Sequence, residues 1–282
     1  MTSNIIALVD ASVYAASVCQ NAAWIAGRLG ATVEIIHVLG RRETAASDLS
    51  GTIALGARTA LLEELSAMDE QRAKLAQKRG RAILEDAQEL VAKAGVEAQV
   101  HLRNGDLLET VSTTARDSDL VVIGKRGEAA DFAKLHLGSN LERIVRTVTQ
   151  PVFVAARAFR PIEKVLIAYD GGPSAMRAID HVARSAMFAD LDIHLLMAGA
   201  DNADNRRKLE DAKALVSAGS HTVTTELVPG HADKVISDAV ESRGIDLVVM
   251  GAYGHSRIRS MIIGSTTAEM IRACMVPILL FR

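Results

Sequence analysis

The stretch DLVVMGAYGHSRIRSMIIGSTT, residues 246–267, holds a short apolar run, a loop bounded by glycines and a polar Gly-Ser-Thr. The apolar run is continuous, which is typical of a strand buried on both faces of a parallel sheet. Gly251 and Gly254 follow it three residues apart, and nine residues separate Gly254 from Gly264. A helical pattern begins after Thr266. The stretch therefore predicts a strand, a loop and a helix in succession, as in α/β folds.

The chain repeats this unit. Two pairs of segments match: SDLVVIGKRG (118–127) with IDLVVMGAYG (245–254), and LGSNLERIVRTVTQPVFV (137–154) with IGSTTAEMIRACMVPILL (263–280). Earlier in each copy, an apolar run ends in Asp10 or Asp170 and is followed by a turn and a helical pattern. Such an internal repeat in 282 residues predicts two tandem domains, over residues 1–157 and 161–282.

Within each copy the pattern alternates strand and helix, which predicts a doubly wound, Rossmann-like domain with a parallel sheet of five strands. Pro151 and Pro277 precede the last predicted strands, 152–155 and 278–281, where a proline removes no ladder hydrogen bond. The first copy carries about thirty-three extra residues within 41–94, a segment with helical spacing of its apolar residues. That segment is interpreted as a longer crossover helix with a charged face, or as a surface for a partner.

Composition and charge narrow the class of protein. The net charge of −2 and the absence of a long basic run argue against nucleic-acid binding. No apolar run is long enough to span a membrane, and the start MTSNIIALVDAS lacks the basic region of a signal peptide. Cys19 and Cys274 show no CxxC spacing and lie in apolar patterns, so two buried thiols are expected. We therefore expect a cytoplasmic protein without a membrane partner.

The glycine-bounded loop has two interpretations. In open α/β sheets ligands bind beyond the carboxyl ends of the strands, and glycines followed by a helix N-terminus suit a phosphate. Ser265 and Thr266 would add hydroxyl donors, and Arg257 and Arg259 would add cations. Alternatively, residues 266–269 and 139–142 are capping boxes that need no ligand.

The pattern Gly-x2-Gly-x9-Gly-Ser/Thr, set between a DLVVMG strand and a helix that leads into Pro277 and a last strand, resembles the nucleotide-binding signature of the universal stress protein family. The resemblance covers essentially the whole chain twice. It implies tandem five-stranded α/β domains of the adenine nucleotide alpha hydrolase-like fold, which pair through their C-terminal strands as an intramolecular pseudo-dimer. Those members that bind ATP share this signature, whereas others lack it and do not bind ATP, and the family acts in stress resistance, generally without an established reaction. Whether two chains pair further is left open.

The resemblance also implies a set of nucleotide contacts. In the second copy these are Gly251, Gly254, Gly264, Ser265 and Thr266 at ribose and phosphates, Asp170 at the ribose or base, and backbone groups near Met197 at adenine. In the first copy they are Gly124, Gly127, Gly138, Ser139, Asp10 and Val38. A second interpretation of Asp170 is a turn residue in Asp-Gly-Gly-Pro, and the two are compatible.

The first copy departs from the family pattern, because ten residues rather than nine separate Gly127 from Gly138. Lys125, Arg126 and Lys134 favour a phosphate in this loop, whereas Glu128 and Asp131 oppose one. The added residue is expected to distort the phosphate cradle. We therefore expect ATP, with or without Mg²⁺, mainly in the second domain.

Other chemistry finds little support in the sequence, which has no HExxH, P-loop or Gly-x-Ser-x-Gly motif. His37 and His194 are expected in the core, while His231 and His255 lie in loops near the proposed site. The leading hypothesis is a nucleotide-binding sensor or regulator and not a dedicated enzyme. The alternatives are a slow ATP-hydrolysing enzyme at the same site, and a nucleotide-free module that binds a partner or another small molecule.

Overall fold

The computed structural model describes residues 3–40, 58–127, 139–219, 221–252 and 264–282. Within these residues the strands are β1 Asn4–Leu8, β2 Thr32–Leu39, β3 Ala98–Asn104, β4 Leu120–Gly124, β5 Val152–Ala155, β6 Lys164–Ala168, β7 Asp192–Ala198, β8 Val223–Val228, β9 Leu247–Gly251 and β10 Ile278–Phe281. The α-helices are α1 Ala15–Leu29, α2 Arg58–Lys93, α3 Leu107–Thr114, α4 Ser139–Thr147, α5 Pro173–Arg184, α6 Ala203–Ser217, α7 Ala232–Arg243 and α8 Ser265–Ala273. Short 3₁₀ turns follow α3 and α5.

The strands form one ten-stranded sheet in the order β3-β2-β1-β4-β5-β10-β9-β6-β7-β8. Every neighbouring pair is parallel except β5 and β10. Each copy contributes five parallel strands whose order reverses once, between β1 and β4 and again between β6 and β9. The predicted fold, two doubly wound five-stranded parallel sheets, is confirmed.

The two copies join through their last strands. Val154 pairs with Ile278 and Val152 with Leu280, in antiparallel register. Arg28 at the end of α1 reinforces this junction, because its Nε donates to the backbone carbonyl of Met187 in the second copy at 2.6 Å. The pairing expected between the C-terminal strands is therefore present, and neither strand leaves an open edge at the junction.

Both faces of the sheet are covered by helices. Ile5 and Ala7 face a core formed with α1, α2, α5 and α6, whereas Ile6 and Leu8 face a core formed with α3, α4, α7 and α8. Each core contains residues of both copies. Burial on both faces is the physical reason that the strands are continuous apolar runs in the sequence.

The extra residues of the first copy lie largely in α2, which confirms the helical interpretation for 58–93; residues 41–57 are outside the described ranges. Leu84 and Val91 pack α2 onto the core, at 4% and 0% exposure. The rest of the described helix is mostly charged and solvated, with exposed i,i+4 ion pairs such as Lys74 with Glu70. These contacts agree with a crossover helix longer than its counterpart α6.

Cys19 and Cys274 are both buried and form no disulfide, as the sequence predicts. Burial raises the pKa of the Cys19 thiol to about 12, so the thiol is protonated at neutral pH. Of the helices that the structure describes, none has the length and apolar composition of a membrane span.

Shortening one buried side chain on β10 tests whether the two copies share their hydrophobic cores. Leu279 is fully buried on β10, and we expect Leu279→Ala to reduce the free energy of unfolding by about 2–5 kcal/mol. Trp24, the one tryptophan of the chain, lies on α1 in the first copy and reports on that copy. Urea unfolding followed by Trp24 fluorescence and by far-UV circular dichroism should give one coincident transition, shifted to lower urea.

Met275→Ala is the matched control, because Met275 is 86% exposed, and its effect should stay within about 0.5 kcal/mol. A Trp24 transition that keeps its wild-type midpoint in Leu279→Ala, while the circular dichroism resolves two steps, would contradict the shared cores.

Candidate functional site

The second copy brings Asp170 and Gly251 to the same edge of the sheet. Ala168 at the end of β6 pairs with Met250 on β9, so Asp170 and Gly251 follow neighbouring strands. The strand order reverses between these two strands. Crevices at such reversals, beyond the carboxyl ends of the strands, are where open α/β sheets bind ligands.

An uncapped helix N-terminus lies at this edge. Gly264 is the N-cap residue of α8, and no side chain caps the helix there. The Gly264 N–H donates to the carbonyl of Ala252 at 3.2 Å, which holds the start of α8 against the end of β9. Ser265 is exposed and Thr266 half-buried. The first N–H groups of a helix have no partner within it, and they carry the positive end of its dipole. This end of α8 can therefore receive an anion.

The capping-box interpretation of residues 266–269 is wrong for α8. The helix begins at Ser265, and Glu269 pairs with Arg272 at 2.7 Å, away from the N-terminus. Sequence reasoning missed the role of Thr267, whose hydroxyl donates to the carbonyl of Gly251 at 3.2 Å and whose residue is 3% exposed. Thr267 therefore fastens the first turn of α8 to the end of β9.

Asp170 and Asp10 both form turns. The Gly172 N–H donates to Oδ1 of Asp170 at 2.8 Å, and the Ser12 N–H donates to Oδ1 of Asp10 at 3.0 Å. Gly171 has a φ of 76°, a conformation that favours glycine. The turn interpretation of Asp170 is confirmed, and the turn holds its carboxylate at the end of β6.

The first glycine of each predicted pair is required by packing against a helix. A Cβ on Gly251 would lie 2.9 Å from Cβ of Ser174 and 3.1 Å from the backbone nitrogen of Ala175, at the start of α5. A Cβ on Gly124 would lie 2.7 Å from Cβ of Tyr14, at the start of α1. The close approach needs no ligand to explain it. The second glycines are Gly127 and Gly254, of which Gly254 lies outside the described residues.

The register of the second strands makes Ala198, and not Met197, the structural counterpart of Val38. Leu8 pairs with Ile36 and Ala168 with Leu196, so that the counterpart of Val38 is Ala198. Val38 and Ala198 are both half-buried. Met197 is 3% exposed, with its side chain in the core. The side chain of Met197 is therefore closed to a ligand, and Ala198, the next residue, is half-buried.

The counterparts of these residues in the first copy are arranged differently. A Cβ on Gly127 would lie 3.0 Å from Oδ2 of Asp10, so the loop after β4 lies against this carboxylate. Lys125, expected to favour a phosphate, instead donates from Nζ to the carbonyl of Cys274 in the second copy, at 2.6 Å. Leu141 occupies the position of Thr267 and has no hydroxyl. Gly138, Glu128, Asp131, Lys134 and the side chain of Ser139, at the start of α4, lie outside the described residues.

The remaining candidates are histidines and loop arginines, some of which are described by the structure and some of which are not. The ring of His194 contacts two side chains of the neighbouring strand β8: Nδ1 lies 2.8 Å from Thr224 Oγ1, and Nε2 lies 3.2 Å from Glu226 Oε2. The ring of His37 lies against the backbone, with Nδ1 2.8 Å from the carbonyl oxygen of Val9. Both histidines are buried, as predicted.

His231 is the N-cap residue of α7. His255, Arg257 and Arg259 are outside the described residues. In the described part of the chain no cluster of His, Cys, Asp and Glu has the make-up of a metal site.

Comparisons with known proteins agree with this architecture. The model of the universal stress protein family matches residues 1–156 and again 161–282. A curated universal stress protein of Synechocystis, Slr1230, is 38% identical over 285 residues, covering 99% of each chain. The chain belongs to the universal stress protein family. This universal stress protein also shares its fold with a family member of known structure from Archaeoglobus fulgidus, at 20% identity and a TM-score of 0.69, covering 99% of this chain and 98% of that one. A putative universal stress protein from Pseudomonas aeruginosa gives a TM-score of 0.62 at 14% identity, covering 99% of this chain and 93% of that one.

A substitution at Gly251 tests the packing explanation without any ligand. In this universal stress protein, Gly251→Ala pushes a Cβ into Ser174 and the backbone of Ala175, and we expect it to cost about 1–3 kcal/mol of unfolding free energy. Gly27→Ala is the matched control, because nothing lies within 4 Å of its added Cβ and Gly27 is inside α1, where alanine should stabilise by about 1 kcal/mol. Urea denaturation of the nucleotide-free protein measures both. Equal stability of Gly251→Ala and wild type would mean that α5 does not press on Gly251.

Proposed function

We propose that this universal stress protein binds an adenine nucleotide, ATP, at the carboxyl edge of its second domain, and acts as a cytoplasmic stress-response sensor or regulator rather than a dedicated enzyme. The observation that carries the proposal is the uncapped N-terminus of α8, held beside β9 at the point where the strand order reverses. Asp170 follows the adjacent strand β6. The two features are separate in sequence and follow neighbouring strands at one edge of the sheet.

The chemistry of these residues fits the parts of ATP. The N–H groups of the first turn of α8, with the hydroxyls of Ser265 and Thr266, suit the phosphates. The carboxylate of Asp170 suits the ribose hydroxyls, because it accepts hydrogen bonds from them. Backbone groups of Met197 and Ala198 suit the edge of adenine. Gly251, Gly254 and Gly264 belong to the same proposal as the backbone that surrounds the phosphates.

The proposal places Mg²⁺, where it accompanies ATP, on the phosphates. Mg²⁺ keeps several waters and commonly binds through substrate phosphates with one or two carboxylates. The described residues offer no cluster of three acidic or metal-ligating side chains for it. Affinity for the nucleotide should therefore depend on α8 and Asp170 more than on a metal site built by the protein.

One nucleotide per chain is expected, because the first domain is less suited to one. Its loop lies against Asp10, and the side chain of Lys125 is committed to the second domain. The contacts that the family resemblance implies there, at Gly124, Gly127, Gly138, Ser139 and Val38, are thus a weaker proposal than their counterparts in the second domain.

Titration calorimetry with ATP tests the site through a matched pair of variants. Asp170→Ala and Asp10→Ala lose the same kind of turn hydrogen bond, of 2.8 and 3.0 Å. Only Asp170→Ala should lose the ribose contacts as well. Hydrogen bonds to a charged group contribute about 1.5–3 kcal/mol, so we expect ATP affinity to fall about 10- to 150-fold in Asp170→Ala. Asp10→Ala should keep the wild-type affinity and a stoichiometry of about one.

The proposal fails if wild-type protein shows no ATP binding at millimolar ligand. It also fails if Asp10→Ala and Asp170→Ala lose affinity equally, because the site would then not lie in the second domain. Thermal unfolding without nucleotide checks that the two variants are destabilised to a similar degree.

A further inference from the structure

One hydrogen bond connects the loop of the first domain to the helix that bears the proposed phosphate site of the second. Lys125 directly follows β4, and its Nζ donates to the backbone carbonyl of Cys274 at 2.6 Å. Cys274 is the C-cap residue of α8, and its N–H donates to the carbonyl of Met270. The two ends of α8 thus differ in what they contact: Lys125 binds the C-terminus, and the N-terminus is the candidate phosphate site.

Physical chemistry favours a cation at this position. The last carbonyls of a helix lack partners within it and carry the negative end of the dipole, so an ammonium group stabilises them. The helix has 9 residues and is short, about 1.5 Å per residue in length. The C-terminus that Lys125 binds is therefore only two to three turns from the N-terminus.

The Lys125 ammonium is charged although it is partly buried. Burial lowers the pKa of Lys125 to about 8, so the group is still mostly protonated at neutral pH. Cys274 is 7% exposed, and the hydrogen bond is partly buried. Charged hydrogen bonds in such surroundings are stronger than those at the surface.

The contact made by Lys125 has no equivalent at the matching position of the second copy. By the alignment of the two copies, Ala252 is the counterpart of Lys125 and Val148 that of Cys274. Ala252 is fully buried and has no group that reaches the first domain. The sequence difference between GKRG and GAYG therefore gives only the first copy a lysine at this position. The C-terminus of α4 is met from the second copy by a different residue, Arg282, whose Nη1 donates to the carbonyl of Thr147 at 3.5 Å.

We propose that Lys125 is a positioning residue for the nucleotide site of the second domain, and that it couples the β4 loop of the first domain to phosphate binding at the N-terminus of α8. This proposal rests on the proposed function. Lys125 touches no part of the nucleotide and acts through the orientation of α8. In the proposed site Asp170 binds the ribose and does not belong to α8. A change in the orientation of α8 should therefore weaken binding of ATP, which has phosphates, more than binding of adenosine, which has none. By linkage, phosphate binding at α8 also restrains the loop of the first domain.

Lys125→Met removes the charge and keeps the length of the side chain. We expect ATP affinity to fall about 10-fold, within the usual range of coupling between sites, while adenosine affinity, measured by competition, stays within about twofold of wild type. Lys125→Arg keeps a cation at the carbonyl and should retain most of the ATP affinity. Lys93→Met is the control, because Lys93 is an exposed lysine on α2, paired only with Glu89 in the described structure. Far-UV circular dichroism verifies that each variant is folded.

Hydrogen exchange gives a second measurement, which would not change with ATP if Lys125 served only to stabilise the fold. Saturating ATP should slow amide exchange in a peptide covering 120–127 of wild-type protein, and should not do so in Lys125→Met. The proposal is overturned if Lys125→Met binds ATP as wild type does, if ATP and adenosine lose affinity equally, or if Lys125→Arg loses as much as Lys125→Met. Absence of ATP binding by wild type is a different result, which removes the proposed function and the coupling with it.

Discussion

The antiparallel pairing of β5 with β10 is the constraint on which the rest of the molecule depends. It converts two open five-stranded sheets into one sheet, and it lets both hydrophobic cores run across the junction. A sheet edge that faced water would expose unpaired backbone groups at Val154 and Ile278. The pairing also fixes the distance between the ends of β4 and β9. The contact between Lys125 and Cys274 is possible only because the copies are held in this arrangement.

Duplication has left the two copies with one fold and different sites. Ser174 in the second copy corresponds to Tyr14 in the first, Thr267 to Leu141, and Ala252 to Lys125. Each difference lies at the carboxyl edge of the sheet, close to the strands between which the order reverses. The second copy keeps a hydroxyl that ties α8 to β9, whereas the first copy turns its loop cation towards its neighbour. We propose that one copy binds nucleotide and that the other adjusts it.

Much of the fold could be predicted from the sequence, because continuous apolar runs and the repeat are properties of short segments. The last strands were predicted at the residues where they occur, 152–155 and 278–281, since Pro151 and Pro277 mark their starts. Less of the candidate site could be predicted from the sequence. The packing role of Gly251 depends on where α5 lies, the choice of Ala198 depends on register, and the bond from Lys125 spans 149 residues. No local pattern in the sequence encodes these contacts.

The central claim is an asymmetric pair of domains with the nucleotide held by the N-terminus of α8. A crystal structure of the protein grown with ATP tests this claim most directly. The account predicts density for one nucleotide per chain, with phosphate oxygens within hydrogen-bond distance of the N–H groups of Ser265 and Thr266 and a ribose hydroxyl on Asp170. Density for the nucleotide beside Asp10, or phosphates that make no contact with the first turn of α8, would contradict it.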